Sequence, residues 1–258
     1  MPQPKHLDPS AFDAPGGAVG ALLIHGYTSS VAETRPMGEY LAARGLTVRC
    51  PLLPGHGTNP EDLTRIRWQA WAEEVESAWD DLRARCETVF VGGLSLGSLL
   101  TLWLGVEHPE IAGLIPMAPA VKARNRFLPL TPVLRHLLKY DPFGGMGDSD
   151  LGDPEGIERI WCYDETPLWG AAEAYALQRK VRDSLSEIDQ PLLIFQGRRD
   201  AQLPSRAAEM VYEDVASTDK TLVWLEYSGH NLLVDGEREA VWDQSHAWMM
   251  ERVPVDQS

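Results

Sequence analysis

Residues 88–107 read TVFVGGLSLGSLLTLWLGVE. An apolar run ends in glycine at Thr88–Gly92, and a second apolar run of helical length follows Ser95. Between them stands Gly93–Leu94–Ser95–Leu96–Gly97, a G-x-S-x-G pattern. In a strand-then-helix context this pattern predicts a tight turn that holds the serine in a strained conformation, its hydroxyl exposed above a sheet. A serine that merely capped the helix would not need glycine on both sides.

The flanking chain supplies the sheet. Ala18–His25, Leu46–Leu53, Thr88–Gly92 and Ile111–Met117 are short apolar runs. Their two-sided apolar character suits central parallel strands. Segments of helical character lie between them at Ser30–Arg44, Trp68–Arg85 and Ser95–Glu107, the second with apolar residues at Trp68, Trp71, Val75, Ala78, Trp79 and Leu82. Repeated strand–helix alternation predicts an α/β fold, a mostly parallel sheet with helices on both faces. The rhythm returns late in the chain. Pro191–Gly197 and Thr221–Glu226 read as strands, Ser205–Val215 as the helix between them, and Glu237–Arg252 as a closing amphipathic helix.

From Val121 to about Asp189 no strand is convincing. The stretch holds prolines, the glycine- and aspartate-rich run FGGMGDSDLGD, and helical tendency over Pro154–Arg182. The expected organisation is a core of residues 1–120 and 190–258 with an inserted, mostly helical cap at 121–189. An insertion of this length implies a job such as a lid.

A serine hydroxyl needs a base to act as a nucleophile at neutral pH. Of the seven histidines, His230 follows the last strand. In such a sheet, groups past the strand C-termini gather on one edge, the edge of Ser95. His6, His108, His136 and His246 occupy less suitable places; His25 and His56 read as loop-ordering residues. Asp200 follows the strand Pro191–Gly197 and completes the order Ser…Asp…His. Asp183 and Asp235 are weaker alternatives, and Asp189 precedes its strand. An oxyanion needs backbone N–H donors. Leu96, directly after the serine, is one. Tyr27 is the choice for the other, since Gly26 lets the backbone come close.

These stretches together resemble the α/β-hydrolase family, and more closely small bacterial carboxylesterases and monoacylglycerol lipases. The resemblance rests on HGYTSS (25–30), PLLPGHGTNPEDL (51–63), CETVFVGGLSLGS (86–98), GRRD (197–200) and KTLVWLEYSGHNLLVD (220–235). It implies Ser95 as nucleophile, Asp200 as acid, His230 as base, and Tyr27 and Leu96 as oxyanion donors. It also implies a short N-terminal strand around Ala11–Phe12 and a small cap over the site. Two departures stand out: Ser98 where these enzymes often carry glycine, and Tyr27 where phenylalanine is common. Both bear on the shape of the acyl pocket.

Composition sets the boundaries. The chain has 258 residues, 44% of them hydrophobic, enough for a sizeable core. Its net charge of −15 repels phosphate backbones and anionic membranes, which argues against nucleic-acid partners. No run reaches the roughly 18 apolar residues of a membrane helix, and the start shows no signal-peptide h-region. Cys50, Cys86 and Cys162 make no metal or disulfide pattern and suit buried or free thiols in a reducing, cytoplasmic setting. No metal-ligand motif or dinucleotide fingerprint is present, and Gly144–Gly147 lacks the lysine and strand of a phosphate loop.

The expectation is therefore a cofactor-free serine hydrolase acting on a small-molecule ester. The insertion's apolar residues, Phe127, Leu128 and Ile157 foremost, are expected to line the substrate site. Leu130, Val133, Leu134, Leu137, Leu138, Trp161, Trp169 and Tyr175 belong to the same set, about half of them packing the cap instead. A small roofed pocket favours short- to medium-chain monoesters, monoacylglycerols included, over triglycerides. Thioester, lactone or amide hydrolysis and acyl transfer use the same triad, and a non-catalytic binding protein could keep the scaffold.

Overall fold

The computed structural model describes residues 6–142 and 150–254. Gly144–Gly147 and most of the surrounding glycine-rich run lie outside these residues. Seven strands form one sheet in the order β1-β3-β2-β4-β5-β6-β7: β1 Phe12–Ala14, β2 Val19–Ile24, β3 Thr47–Cys50, β4 Thr88–Leu94, β5 Gly113–Met117, β6 Leu192–Gly197 and β7 Lys220–Leu225. Only β1 runs antiparallel, paired with β3 through Phe12↔Cys50 and Ala14↔Val48. The other neighbours are parallel, as the alternation with helices requires. The N-terminal strand lies one to two residues beyond Ala11–Phe12, where the resemblance set it.

Side chains alternate across the sheet and build two cores. On one face, Leu22, Ile24, Val91 and Ile194 pack with α2 (Trp68–Arg83), α3 (Leu96–Glu107), the far end of α5 (Leu168–Ser184) and α6 (Arg206–Asp214). On the other, Ala21, Leu23, Phe90 and Phe195 pack with α1 (Arg35–Ala42) and α7 (Arg238–Met250). Trp71 and Trp79, eight residues apart on α2, are buried in the first core. That spacing puts both on one helical stripe. The helix expected over Ser30–Arg44 is split: a 3-10 turn at Val31–Glu33 precedes α1, which has proline in its first turn. Proline is tolerated there because its missing N–H would have no intrahelical partner.

The segment 121–189 contains a 3-10 turn at Leu128–Leu130, a single turn α4 at Thr131–Leu134, a 3-10 stretch at Pro154–Arg159, and α5. Its described residues hold no strand beyond an isolated bridge, Tyr140↔Pro167. It does not stand apart from the body. Leu177 and Val181 of α5 are in the first core, as are Trp161 and Tyr163.

Candidate active site

The connections that leave the C-terminal ends of β2, β4, β5, β6 and β7 meet over one cavity of about 580 Å³. The turn after β4 carries Ser95, with φ 57 and ψ −109. A non-glycine residue in this region is strained by about 1–3 kcal/mol. The two glycines explain how the turn closes. A Cβ on Gly97 would sit 2.1 Å from the Ile24 carbonyl oxygen, and one on Gly93 would sit 2.4 Å from that of Gly97. The Ser95 N–H is held by the Met117 carbonyl of the neighbouring strand at 3.0 Å.

The loop after β6 carries Asp200 and the loop after β7 carries His230, both buried. His230 Nδ1 lies 2.9 Å from Asp200 Oδ2. The remaining acceptor sites of Asp200 are also filled. Its Oδ1 accepts the N–H groups of Gln202 and Leu203, each at 2.8 Å, and its Oδ2 also accepts from Gln196 Nε2 at 2.9 Å. A carboxylate fixed on every side can hold one imidazole tautomer. With Nδ1–H donated to Asp200, Nε2 is left to accept a proton.

The electrostatics follow from these contacts. Burial pulls the His230 pKa down, but the Asp200 carboxylate, with the charges of Asp150 and Glu33, outweighs it and leaves the ring above its ordinary value. Asp200 is pushed up by burial, yet the His230 charge and its hydrogen-bond donors bring it below the usual carboxylate range. His25 behaves differently. Its Nε2 accepts the Leu53 N–H at 3.0 Å, so Nδ1 carries the proton and donates to the Gly26 carbonyl at 2.9 Å. Burial pulls its pKa to about 4, so it stays neutral and ties two loops together.

Ser95, His230, Tyr27 and Leu96 line the same cavity, with Leu128 and Ile157. Leu96 is the first residue of α3, so its N–H has no partner within the helix. Among the described residues neither the Tyr27 nor the Leu96 N–H is engaged by a backbone acceptor. Phe127 is not in the lining; it is 43% exposed, with the Arg126 guanidinium 5.0 Å from its ring centroid. Leu130, Val133, Leu137 and Leu138 are exposed as well. The reason is helical direction: Leu128 and Thr131, three apart, face the cavity, and Leu130, Val133 and Leu137 share the opposite side. Tyr175 lines the cavity, whereas Trp161 is buried in the core and Trp169 donates its indole N–H to the Ile66 carbonyl at 3.2 Å.

Two carboxylates that the sequence pattern does not single out also reach the site. Asp150 Oδ2 accepts the N–H groups of Ala201 at 2.8 Å and His230 at 3.1 Å. Glu33 is buried in the loop after β2 and lines the cavity. Gln196 is the third residue missed; a glutamine inside the apolar strand PLLIFQG is the one signal that could have found it. Asp235, the alternative acid, is fully buried and serves elsewhere. It accepts four backbone N–H groups, from Gly152, Asp153, Gly229 and Gly236, at 2.7–2.9 Å. Among the described residues no three His, Cys, Asp or Glu side chains gather as for a metal ion. Nor is any described helix long and apolar enough to cross a membrane.

Comparison with known proteins agrees with this architecture. The chain is 35% identical to a thermostable monoacylglycerol lipase of Bacillus sp. (strain H-257) over 234 residues, covering 91% of each chain. It is 32% identical to a carboxylesterase of Bacillus subtilis (strain 168) over 239 residues, 92% of this chain and 94% of that one. A solved structure from a study of the metagenome-derived lipolytic enzymes LipS and LipT superposes with a TM-score of 0.86 at 28% identity, covering 94% of this chain and 98% of the other. The Hydrolase_4 model, described as serine aminopeptidase S33, matches residues 18–141 and 160–237. The chain therefore belongs to the Hydrolase_4 family, and it is a serine hydrolase of the α/β-hydrolase superfamily, similar to monoacylglycerol lipases and carboxylesterases.

Proposed function

We propose that the protein cleaves carboxylic esters of short- to medium-chain acids, monoacylglycerols included, through a Ser95–His230–Asp200 triad and an acyl-enzyme. Ser95 Oγ attacks the acyl carbon while His230 Nε2 takes its proton. The backbone N–H groups of Tyr27 and Leu96 hold the oxyanion as it forms. His230 then gives the proton to the leaving alcohol, and a water activated by the same ring releases the acid. Every proton moves through one imidazole, so the mechanism calls for no cofactor.

The observation that carries this reading is the pairing of a strained Ser95 with His230 over one cavity, the imidazole tied to Asp200 at 2.9 Å. A non-catalytic binding protein would need neither the strain nor the buried pair. Residues 121–189 act as the cap in this reading, bringing Leu128 and Ile157 to the substrate. Each methylene buried against such a wall adds about 0.8 kcal/mol, so acyl length is expected to govern kcat/KM until the roofed space is full. The test is an ester panel that varies acyl length and alcohol separately, with an aminoacyl anilide and an emulsified triglyceride included, on wild type and Ser95→Ala. A rise then fall of kcat/KM with acyl length, little triglyceride turnover and loss of all turnover in the variant support the proposal. Equal rates on triglyceride, or preference for the anilide, count against it.

A further inference from the structure

One buried acid of the cavity is not used by the mechanism above. Glu33 is only 3% exposed, in the 3-10 turn Val31–Glu33, and no ion pair engages it among the described residues. A buried carboxylate without a cation is costly unless its oxygens are hydrogen-bonded. Both are. Oε1 accepts the Gly26 N–H in a short contact, and Oε2 accepts the Ser29 hydroxyl at 2.7 Å. Those two donors flank Tyr27 and Thr28.

The turn between them needs holding. Thr28 has φ 62, a strained conformation for a β-branched residue. The only backbone bond closing the turn, Ser29 N–H to the Gly26 carbonyl, is long at 3.4 Å. From above, the insertion grips the same residues: the Tyr163 N–H donates to the Thr28 carbonyl at 2.9 Å, and the Tyr27 hydroxyl donates to the Pro167 carbonyl at 2.7 Å. From below, His25 Nδ1 donates to the Gly26 carbonyl at 2.9 Å, and Glu33 takes the donors at both ends of the turn. The carboxylate is also close to the nucleophile. A Cβ placed on Gly26 would stand 3.1 Å from Glu33 Oε1 and 3.6 Å from Ser95 Cβ, so acid and serine flank one glycine.

We propose that Glu33 is a positioning residue that clamps Gly26 and Ser29 so that the Tyr27 N–H keeps its place beside Ser95. The inference rests on the ester-hydrolase reading, because the Tyr27 N–H matters only if an oxyanion forms there. A negative carboxylate next to a forming oxyanion would oppose it, so although the charge of Glu33 also helps to raise the His230 pKa, the part of Glu33 in placing the oxyanion donor is geometric. Its two oxygens are occupied by donors from the loop it shapes.

The test uses Glu33→Gln and Ser29→Ala in the full chain, with p-nitrophenyl butyrate as substrate and a butyl trifluoromethyl ketone as inhibitor. The ketone adds Ser95 and places an oxyanion in the same donors, so it reports on their position. In Glu33→Gln the Gly26 N–H loses its charged acceptor and the amide NH₂ meets the Ser29 hydroxyl, which must turn its hydrogen to the Trp161 carbonyl, and kcat is expected to fall on the order of tenfold or more, less than for a donor removed outright. KM should stay within about twofold, and ketone inhibition should weaken in parallel with kcat. Ser29→Ala keeps the Gly26 contact and should lose roughly two- to fivefold in both. A merely structural glutamate would lower the melting temperature without the parallel loss. Glu33→Gln with kcat within about twofold of wild type, or with kcat lost and ketone inhibition unchanged, overturns the proposal. If Glu33→Gln does not fold, Ser29→Ala decides by the same two readouts, and no change in either overturns it. Wild type without ester turnover, or Ser95→Ala with full turnover, would instead refute the ester-hydrolase reading, and this role with it.

Discussion

Asp150 Oδ2 accepts the backbone N–H of His230 at 3.1 Å, although the two residues are 80 apart in sequence. The same oxygen takes the Ala201 N–H at 2.8 Å. One side chain of the inserted segment thus bridges the loop of Asp200 and the loop of His230. Asp235 reinforces the join from the other side, by accepting Gly152 and Asp153 of the insertion together with Gly229. A carboxylate of the segment 121–189 thus ties the two loops together.

Removing that bridge should therefore cost turnover. Asp150→Ala leaves two N–H groups without their charged acceptor, a loss of about 1.5–3 kcal/mol in such bonds. The expected result is a fall in kcat on the order of tenfold with a smaller change in KM. Steady-state kinetics on one soluble ester checks it. Unchanged kcat would mean that the two loops hold their positions unaided.

Asp200 and Asp235 should separate by what they damage. Asp235→Ala strands four backbone donors, that of Gly229 buried, and should cost about 3 kcal/mol of stability. In a chain of this length that is a drop of roughly 6–12 °C in Tm. Assayed well below its Tm, the variant should keep turnover within about tenfold. Asp200→Asn should instead cost on the order of 10³–10⁴ in kcat through the wrong tautomer of His230. Thermal melts and kinetics on both variants decide; an Asp235 variant as inactive as Asp200→Asn with an unchanged Tm would reverse the assignment.

The pH dependence has a definite sign. His230 must be neutral to take the serine proton, and its pKa is held above the ordinary 6.5. Activity is therefore present at higher pH and lost as pH falls through that raised value. In Asp200→Asn the main raising partner is gone and burial remains, so the residual activity should lose its acid limb at lower pH than wild type. A kcat/KM profile of both proteins from acid to neutral pH tests it; a limb that stays put, or moves up, contradicts it.

What was legible in the sequence and what was not divides along physical lines. The sheet was legible because central strands such as VFVG and LLIF are apolar on both faces, a pattern few other structures need. The elbow was legible because Gly93 and Gly97 have no room for a side chain. Ser95, Asp200 and His230 could be brought together because each follows a parallel strand, and strand C-termini share an edge. Phe127 lies off the cavity lining, at the N-cap of the 3-10 turn Leu128–Leu130, and sequence spacing over so short an element does not show which side faces inward. Glu33 and Asp150 were not legible at all. Their partners are backbone N–H groups, which carry no residue identity, and for Asp150 they lie 51 and 80 residues away.

The central claim is that Ser95 attacks the substrate, and a fluorophosphonate tests it most directly. The probe reacts with a serine only where a base and oxyanion donors activate it. Intact mass followed by peptide mapping should show one adduct, on the peptide containing Ser95, formed in step with the loss of ester turnover. Ser95→Ala should take up no label while melting like wild type. An adduct on a different serine, or turnover that persists after Ser95 is fully labelled, would contradict the account.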